Sequence, residues 1–561
     1  MATRIRKRRS WLPCQGAWSG AAECSGSIPI LLLFPLSCLL VLCLRGDQEL
    51  TLRTSVHVVA VSIVATDSAG APAEGLGVHD FRVWDNGKAQ TIASFEKISS
   101  EEAPAPAVLP PDTYSNRMGE AAAGGLGKTG RPQTLSMILL DSVNTKYRHQ
   151  TVSRLAVEKV LDELPPGQRV AIYAFGSHLR ILHDFSSDKT SLLAAVRAYH
   201  GEIPIRNDFI RDLEYDDPGI PLITPQTLAC KPRTQPETPL ELAALKGRIL
   251  DSLEALEAIA NHVKGIPGRK NLLWVSAAFP VMVGQLALAG PIVAPSMGSN
   301  RPSPFADNKN YGDGMGRAGA ALNDASVSVY PIDPRGISCN PDVAINIDTM
   351  KDIADATGGK AFYNRNDLTT GVRSALDDAR VAYELTYSPH PTAQDGAYHT
   401  IRVQCARRGV QLHYRRGYFA PGMKETGDAA ADRLTAVLSS PLDASGIGIQ
   451  ASLGQASGND VSVAIRVDAA DLNLTRKAAK WTGALHLEAM QTGAAGERLG
   501  GVSQTAELNL EPATYQRALR QGLPFEMKLP RDPAAVAVRI GAVDERGGHA
   551  GSLTVPLPPQ R

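Results

Sequence analysis

The sequence has little of what would narrow its chemistry quickly. Only 5% of its residues are aromatic, and its seven cysteines show no CxxC spacing. Four of them, Cys14, Cys24, Cys38 and Cys43, precede residue 45, so a disulfide scaffold and a cysteine-built zinc site are excluded. Neither sign of charge is in excess: 58 basic side chains against 57 acidic ones offer no electrostatic footprint for nucleic acid. No Gly-x-Ser-x-Gly elbow and no His-Glu-x-x-His helix occur. The 12 histidines are scattered, and His183, His399 and His413 fall in predicted strands, where a structural role is expected. Glu214, Asp216 and Asp217 sit in a proline-rich stretch and read as a solvated acidic cluster.

What is present is a long, ordinary globular composition. At 561 residues and 43% hydrophobic content, three or four domains with cores of their own are expected, and general disorder is excluded. The first 50 residues read as targeting rather than fold. Arg4, Arg6, Lys7, Arg8 and Arg9 precede an apolar run from Ile28 to Leu44, the pattern of a signal peptide or an N-terminal anchor. Export is therefore expected. Beyond the leader remain Cys230, Cys339 and Cys405, and a Cys230–Cys339 bond is one arrangement an oxidising compartment would allow.

Periodicity divides the remainder. A β-branched run from Val56 to Thr66, and two short runs flanking Asp85-Asn86-Gly87, predict a small β module over 51–100. A Pro/Ala/Gly-rich linker is expected over 101–133. Strands then alternate with helices. Predicted strands begin at Ser136, Arg169, Leu179, Asn271, Val327 and Ala361. The helices include one capped by Asp188, one running from Leu242 to Val263 on a three-and-four spacing, and one from Asp367. That alternation implies a mostly parallel sheet covered on both faces. After residue 430, period-two runs such as Leu485-Leu487-Ala489 and Val536-Val538-Ile540 predict a C-terminal β-sandwich over 430–561, of an immunoglobulin-like kind.

Two motifs stand out. Ala122 to Thr129 satisfies a relaxed phosphate-loop pattern ending in Gly127-Lys128-Thr129, but proline-rich chain precedes it and Gly130 and Pro132 follow. Without a strand before and a helix after, the loop cannot cradle phosphate, and it reads as linker. Asp141-Ser142-Val143-Asn144-Thr145 is better placed, at the end of the first strand of the α/β unit, where parallel sheets bind ligands.

Around that motif lie Leu139-Leu140-Asp141, Leu164-Pro165-Pro166-Gly167-Gln168-Arg169-Val170, and Gly268-Arg269-Lys270-Asn271-Leu272 leading to Phe279-Pro280. Tyr330-Pro331-Ile332-Asp333, Thr357-Gly358-Gly359 and Arg415-Arg416-Gly417-Tyr418 follow in order. With these motifs, residues 134–421 resemble a von Willebrand factor type A domain. Most of 55–421 resembles the VWFA-related proteins of acidobacterial type. The resemblance implies a doubly wound, Rossmann-like α/β fold. Two long loops read from the sequence, at about 203–237 and 280–312, fall near the strand ends that carry Asp141 and are the candidates for partner contact. The resemblance also implies a metal-ion-dependent adhesion site, with Asp-x-Ser-x-Ser on one loop, a Thr on a second and an Asp on a third.

Only part of that ligand set is here. Asp141 and Thr145 match, Val143 replaces the middle hydroxyl, and residues 201–205 offer no Thr. Ser276-Ala277-Ala278 stand where Thr-Asp-Gly would be. Mg²⁺ wants about six oxygens, so a degenerate metal site at Asp141 and Thr145 is expected, with no cofactor required. Asp184, Ser186 or Asp333 are the side chains a weak site could borrow.

The expected function is exported, non-enzymatic binding of a protein or surface ligand. Contact is expected through a top face that includes Ser142, Asn144, Ser276 and Asp333, with no nucleic acid and no membrane contact beyond an uncleaved leader. The alternatives are Mg²⁺-dependent adhesion at the reduced site, a nucleotide-using enzyme built on Lys128, and a mere spacer between two β modules.

Overall fold

The computed structural model describes residues 58–99, 109–117, 134–202, 239–277, 309–337, 341–389, 397–420, 428–454 and 460–558. The leader, the Lys128 loop, residues 203–237, most of 280–312, Cys230 and Cys339 lie outside the described residues. No described helix is long and apolar enough to cross a membrane.

The chain opens with four strands, β1 (Val59–Thr66), β2 (Phe81–Asp85), β3 (Lys88–Gln90) and β4 (Ile92–Ser99). Asn86 and Gly87 both take positive φ, 45° and 78°, which suits a tight two-residue hairpin between β2 and β3. The predicted partner of β2 across this turn, residues 91–95, instead crosses to another sheet as part of β4. Next comes β5 (Thr113–Ser115), a strand inside the stretch expected to be linker.

The α/β unit follows in the order β6 (Leu135–Asp141), α1 (Tyr147–Asp162), β7 (Val170–Phe175), β8 (Leu179–Ser186) and α2 (Lys189–Ala198). It continues through α3 (Pro239–Val263), β9 (Lys270–Val275), α4 (Lys309–Asp324), β10 (Val327–Ile332), α5 (Pro341–Thr357) and α6 (Leu368–Asp377). The sheet order is β10-β9-β6-β7-β8. All pairings are parallel except the β7–β8 hairpin, so the expected parallel sheet carries one antiparallel edge. The predicted strand at Ala361 is reduced to one parallel bridge, Ile332 with Phe362.

Strand β6 shows why both faces are covered. Leu135, Met137 and Leu139 enter a core with α3, α4 and α5, while Ile138 and Leu140 enter a second core with α1, α2 and α6. Alternating side chains point to opposite faces, so a strand apolar at both parities needs a layer on each side. Asp188 caps α2 as the sequence suggests, accepting from Thr190 N and Ser191 N. Helix α4 was not foreseen: its four glycines give it poor intrinsic propensity. Burial of Ala318 and Leu322 against the sheet supplies what propensity does not.

The strands after the α/β unit do not belong to it. β11 (Val381–Tyr387), β12 (Tyr398–Cys405), β13 (Gln411–His413) and β14 (Gly417–Phe419) pair with the opening strands. Two antiparallel sheets, β13-β1-β11-β4 and β14-β12-β2-β3, enclose a core of Val61, Ile63, Phe81, Tyr383 and Leu385. Residues 59–99 and 381–420 are thus one sandwich into which the α/β unit is inserted. This corrects both the separate module over 51–100 and the assignment of 381–421 to the α/β domain. Buried Asp85 ties the two sheets, accepting from Tyr387 and Tyr418 hydroxyls at 2.9 Å and contacting His399 Nδ1 at 3.0 Å.

The C-terminal part comprises α7 (Asp428–Ser439), β15 (Ile449–Leu453), β16 (Asp460–Val467), β17 (Thr475–Lys477), β18 (Lys480–Thr492) and β19 (Arg498–Leu510). It ends with α8 (Pro512–Gln521), β20 (Leu523–Pro530), β21 (Ala537–Asp544) and β22 (Ala550–Pro556). One antiparallel sheet runs β20-β16-β15-β5. The other runs β17-β18-β21-β22, with β19 also on β18. They share one core, which includes Ile449, Val463, Leu485 and Ile540. The early strand β5 completes this late sandwich, which corrects the linker reading at 113–115.

The α/β unit meets the first sandwich at the amino-terminal edge of its sheet. Lys270, at the start of β9, is buried there and donates to the Ile266 carbonyl at 2.6 Å. Burial pulls its ammonium down to about 7, opposed by the charge of Glu384 on β11. An unfolded lysine keeps its ordinary value, so between pH 7 and 9 the unfolded chain holds more protons. Stability should therefore rise with pH across that interval, by up to about 1.4 kcal/mol per pH unit. Urea denaturation at pH 7, 8 and 9 checks this, and Lys270→Met should flatten the rise.

Candidate functional site

Register places the candidate residues together. Asp141 ends β6 opposite Phe175 of β7, and Leu140 lies opposite Val275 of β9. Asp141, Ser276 and Asp333 therefore all stand at the carboxyl edge of the parallel strands. Ser276 N donates to the Ile332 carbonyl and so aligns the tips of β9 and β10.

The carboxylate of Asp141 is spent inward. Its Oδ1 accepts from Asn144 N at 3.0 Å. Its Oδ2 accepts from Asn144 Nδ2 at 2.9 Å, Trp274 Nε1 at 3.0 Å and Ser276 Oγ at 2.8 Å. One acid thus joins the turn before α1 to the tip of β9. Asn144 Nδ2 also donates to Ser252 Oγ of α3 at 3.0 Å, which brings the helix layer into the network. Thr145 Oγ1 accepts from Ala277 N at 3.0 Å. Burial pushes the Asp141 carboxyl above its ordinary value, against the downward pull of these donors.

The neighbouring turn is braced in the same manner. Gln150 Nε2 donates to the carbonyls of Thr145 at 2.7 Å and Glu202 at 2.8 Å, while its Oε1 accepts from Glu202 N. Ser142 Oγ is hydrogen-bonded to the Tyr199 hydroxyl. His149, in the first turn of α1, is held down to about 4 by burial and then by the adjacent Arg148 charge, so it is neutral at physiological pH.

The metal set expected from the resemblance does not assemble among the described residues. Asp333 shares the edge, but Arg335 grips it with Nε at 2.9 Å from Oδ1 and Nη2 at 2.7 Å from Oδ2. Asp184 and Ser186 lie towards the other end of the sheet, because β8 runs antiparallel and Ser186 pairs with Val170 at the start of β7. Val143 is buried among apolar side chains. No group of three His, Cys, Asp or Glu that could hold a metal occurs among the described residues. Asp141 and Thr145 already accept protein hydrogens, so the described residues do not present a ligand set that fits Mg²⁺.

Of the expected top face, Ser142, Asn144, Ser276 and Asp333 are each 5% exposed or less and organise the edge from within. Sequence reasoning missed Trp274, Ser252, Gln150 and Arg335. Arg335 was legible as an arginine two residues after an acid; the other three become visible only when the layers meet.

No family model matches the chain, and no curated protein matches it. Solved structures with some likeness include proximal thread matrix protein 1 from the mussel byssus, at 12% identity over 44% of this chain and a TM-score of 0.24. The chain spans 48% of that protein's length. A von Willebrand factor type A protein from Catenulispora acidiphila shows 10% identity over 65% of this chain and 83% of its own, with a TM-score of 0.23. The vWF domain of the type V pili tip protein Mfa5 from Porphyromonas gingivalis shows 12% identity over 44% of this chain and 93% of its own, also at 0.23. The doubly wound α/β assignment rests on the strand pairings themselves.

Proposed function

We propose that this chain is an exported, non-enzymatic binding protein of the VWFA-related kind, which recognises a protein or surface ligand through its α/β unit without a metal. The observation that carries this reading is the closed network around Asp141. An adhesion site that captures a partner's carboxylate through Mg²⁺ needs oxygens facing outward. Here the two matching ligands point their lone pairs at Asn144, Trp274, Ser276 and Ala277. The network instead stiffens the edge from which the chain leaves into 203–237 and 280–312, and those stretches are the proposed contact elements. Export follows from the leader pattern, with the periplasm, the envelope or the medium as destination. The chain's only membrane segment would be that leader. The immunoglobulin-like character of the C-terminal sandwich belongs to the same proposal.

Calorimetric titration of Mg²⁺ and Mn²⁺ into the chain from residue 50 tests it. No saturable heat is expected. Saturable binding that Thr145→Val removes would overturn the proposal in favour of metal-dependent adhesion.

A further inference from the structure

Two arginine motifs far apart in the sequence, Gly268–Leu272 and Arg415–Tyr418, meet at one cavity. It lies where the amino-terminal edge of the α/β sheet packs on the first sandwich. The cavity measures about 50 Å³, and its walls include Ser62, Arg269, Ser328, Arg415 and Tyr418. Arg269 is 1% exposed, and burial pulls the Arg415 guanidinium down.

Among the described residues, both cations donate to neutral acceptors. Arg269 donates to Asn271 Oδ1, the Tyr330 hydroxyl and the carbonyls of Ser62 and Gly358. Arg415 donates to Asn323 and to the Ala60 carbonyl. The acids that act on them do so from a distance: Asp378 is bonded to Tyr330, and Asp324 to Lys264. Two buried donors in these walls, Ser62 Oγ and Arg415 Nε, have no protein acceptor. A buried charge whose nearest acids are bonded to other groups is costly, and so is a buried donor without an acceptor. One anion would answer both.

We propose that this junction cavity binds a small oxyanion, a tetrahedral inorganic anion or a carboxylate group, between Arg269 and Arg415 with Ser62 Oγ donating to it. A water molecule needs about 10–15 Å³ by the same measure, so a space of about 50 Å³ suits a ligand of a few heavy atoms. The bound anion would cross-link the inserted α/β unit to β1, which contributes Ala60 and Ser62, and so couple anion concentration to stability.

The test is calorimetry and thermal unfolding of the full chain with sodium phosphate and with sodium acetate, at ionic strength held constant by bulky gluconate. Saturable binding of at least one probe is expected, weakened by about fivefold in Ser62→Ala and by about tenfold in Arg415→Lys. Binding of phosphate alone assigns the site to a tetrahedral anion, and binding of acetate alone to a carboxylate. Ser62→Ala removes a hydroxyl with no protein partner, so without anion it should melt no lower than the wild type. That separates lost binding from lost folding. Absence of saturable binding by both probes up to tens of millimolar overturns the proposal. So does binding that Ser62→Ala and Arg415→Lys leave unchanged.

Discussion

Arg269→Leu should lower the stability of the chain by about 2–4 kcal/mol: four buried acceptors lose their donor, at about 1–3 kcal/mol each, and relief of a buried guanidinium offsets part of that loss. The guanidinium joins four pieces of chain. It reaches Asn271 on its own strand, Tyr330 on β10, the Gly358 turn and Ser62 on β1. Leucine fills part of the volume but leaves two carbonyls, a phenol and an amide oxygen facing it. Gly358 also has little room to adjust: its φ is +79°, and a Cβ there would lie 2.5 Å from Arg415 N. Arg269→Lys should recover little, because a single ammonium cannot reproduce a planar fork that serves separate acceptors. Urea denaturation, read as the midpoint for each variant, checks the effect. A loss below about 1 kcal/mol would mean that the junction is held by apolar packing.

Asp141→Ala should be the second costly change, at about 3 kcal/mol in buffer containing EDTA. Two effects oppose one another. Removing a buried carboxylate relieves its desolvation, which alone would stabilise the fold. Against that, Trp274 Nε1, Ser276 Oγ and both donors of Asn144 lose an acceptor, and each stranded buried donor costs about 1–3 kcal/mol. Asn144 Nδ2 keeps Ser252, so the sum is less than four full penalties. Asp141→Asn should fall between alanine and wild type, since its amide keeps one accepting oxygen where the carboxylate has two. The sign carries the argument: a carboxylate kept for an absent metal should be destabilising without it, and its removal in EDTA would then raise the melting temperature. Such a rise would refute the closed network.

Much of the α/β unit was legible because its signals are local. Period-two and three-and-four patterns report which faces are buried, and β6, α3 and β10 follow them closely. The caps at Asp188 and Asp367 and the Asn86-Gly87 turn depend on a few adjacent residues, so they too can be read from the string. Helix α4 was not legible, since its glycines argue against a helix that packing enforces.

The sequence by itself determined the alternation of strands and helices in most of the α/β unit, the doubly apolar strands that require covering layers, and the position of Asp141 at a strand tip. Only the tertiary structure decided which strands pair. Hydrophobic period states a face but never a partner, so nothing local announces that β1 pairs with β11 or β5 with β15. The same limit governed the site. The family resemblance suggested metal ligands at Asp141 and Thr145. Hydrogen-bond donors from the end of β9 and the two residues after it, more than a hundred residues away, turn both inward.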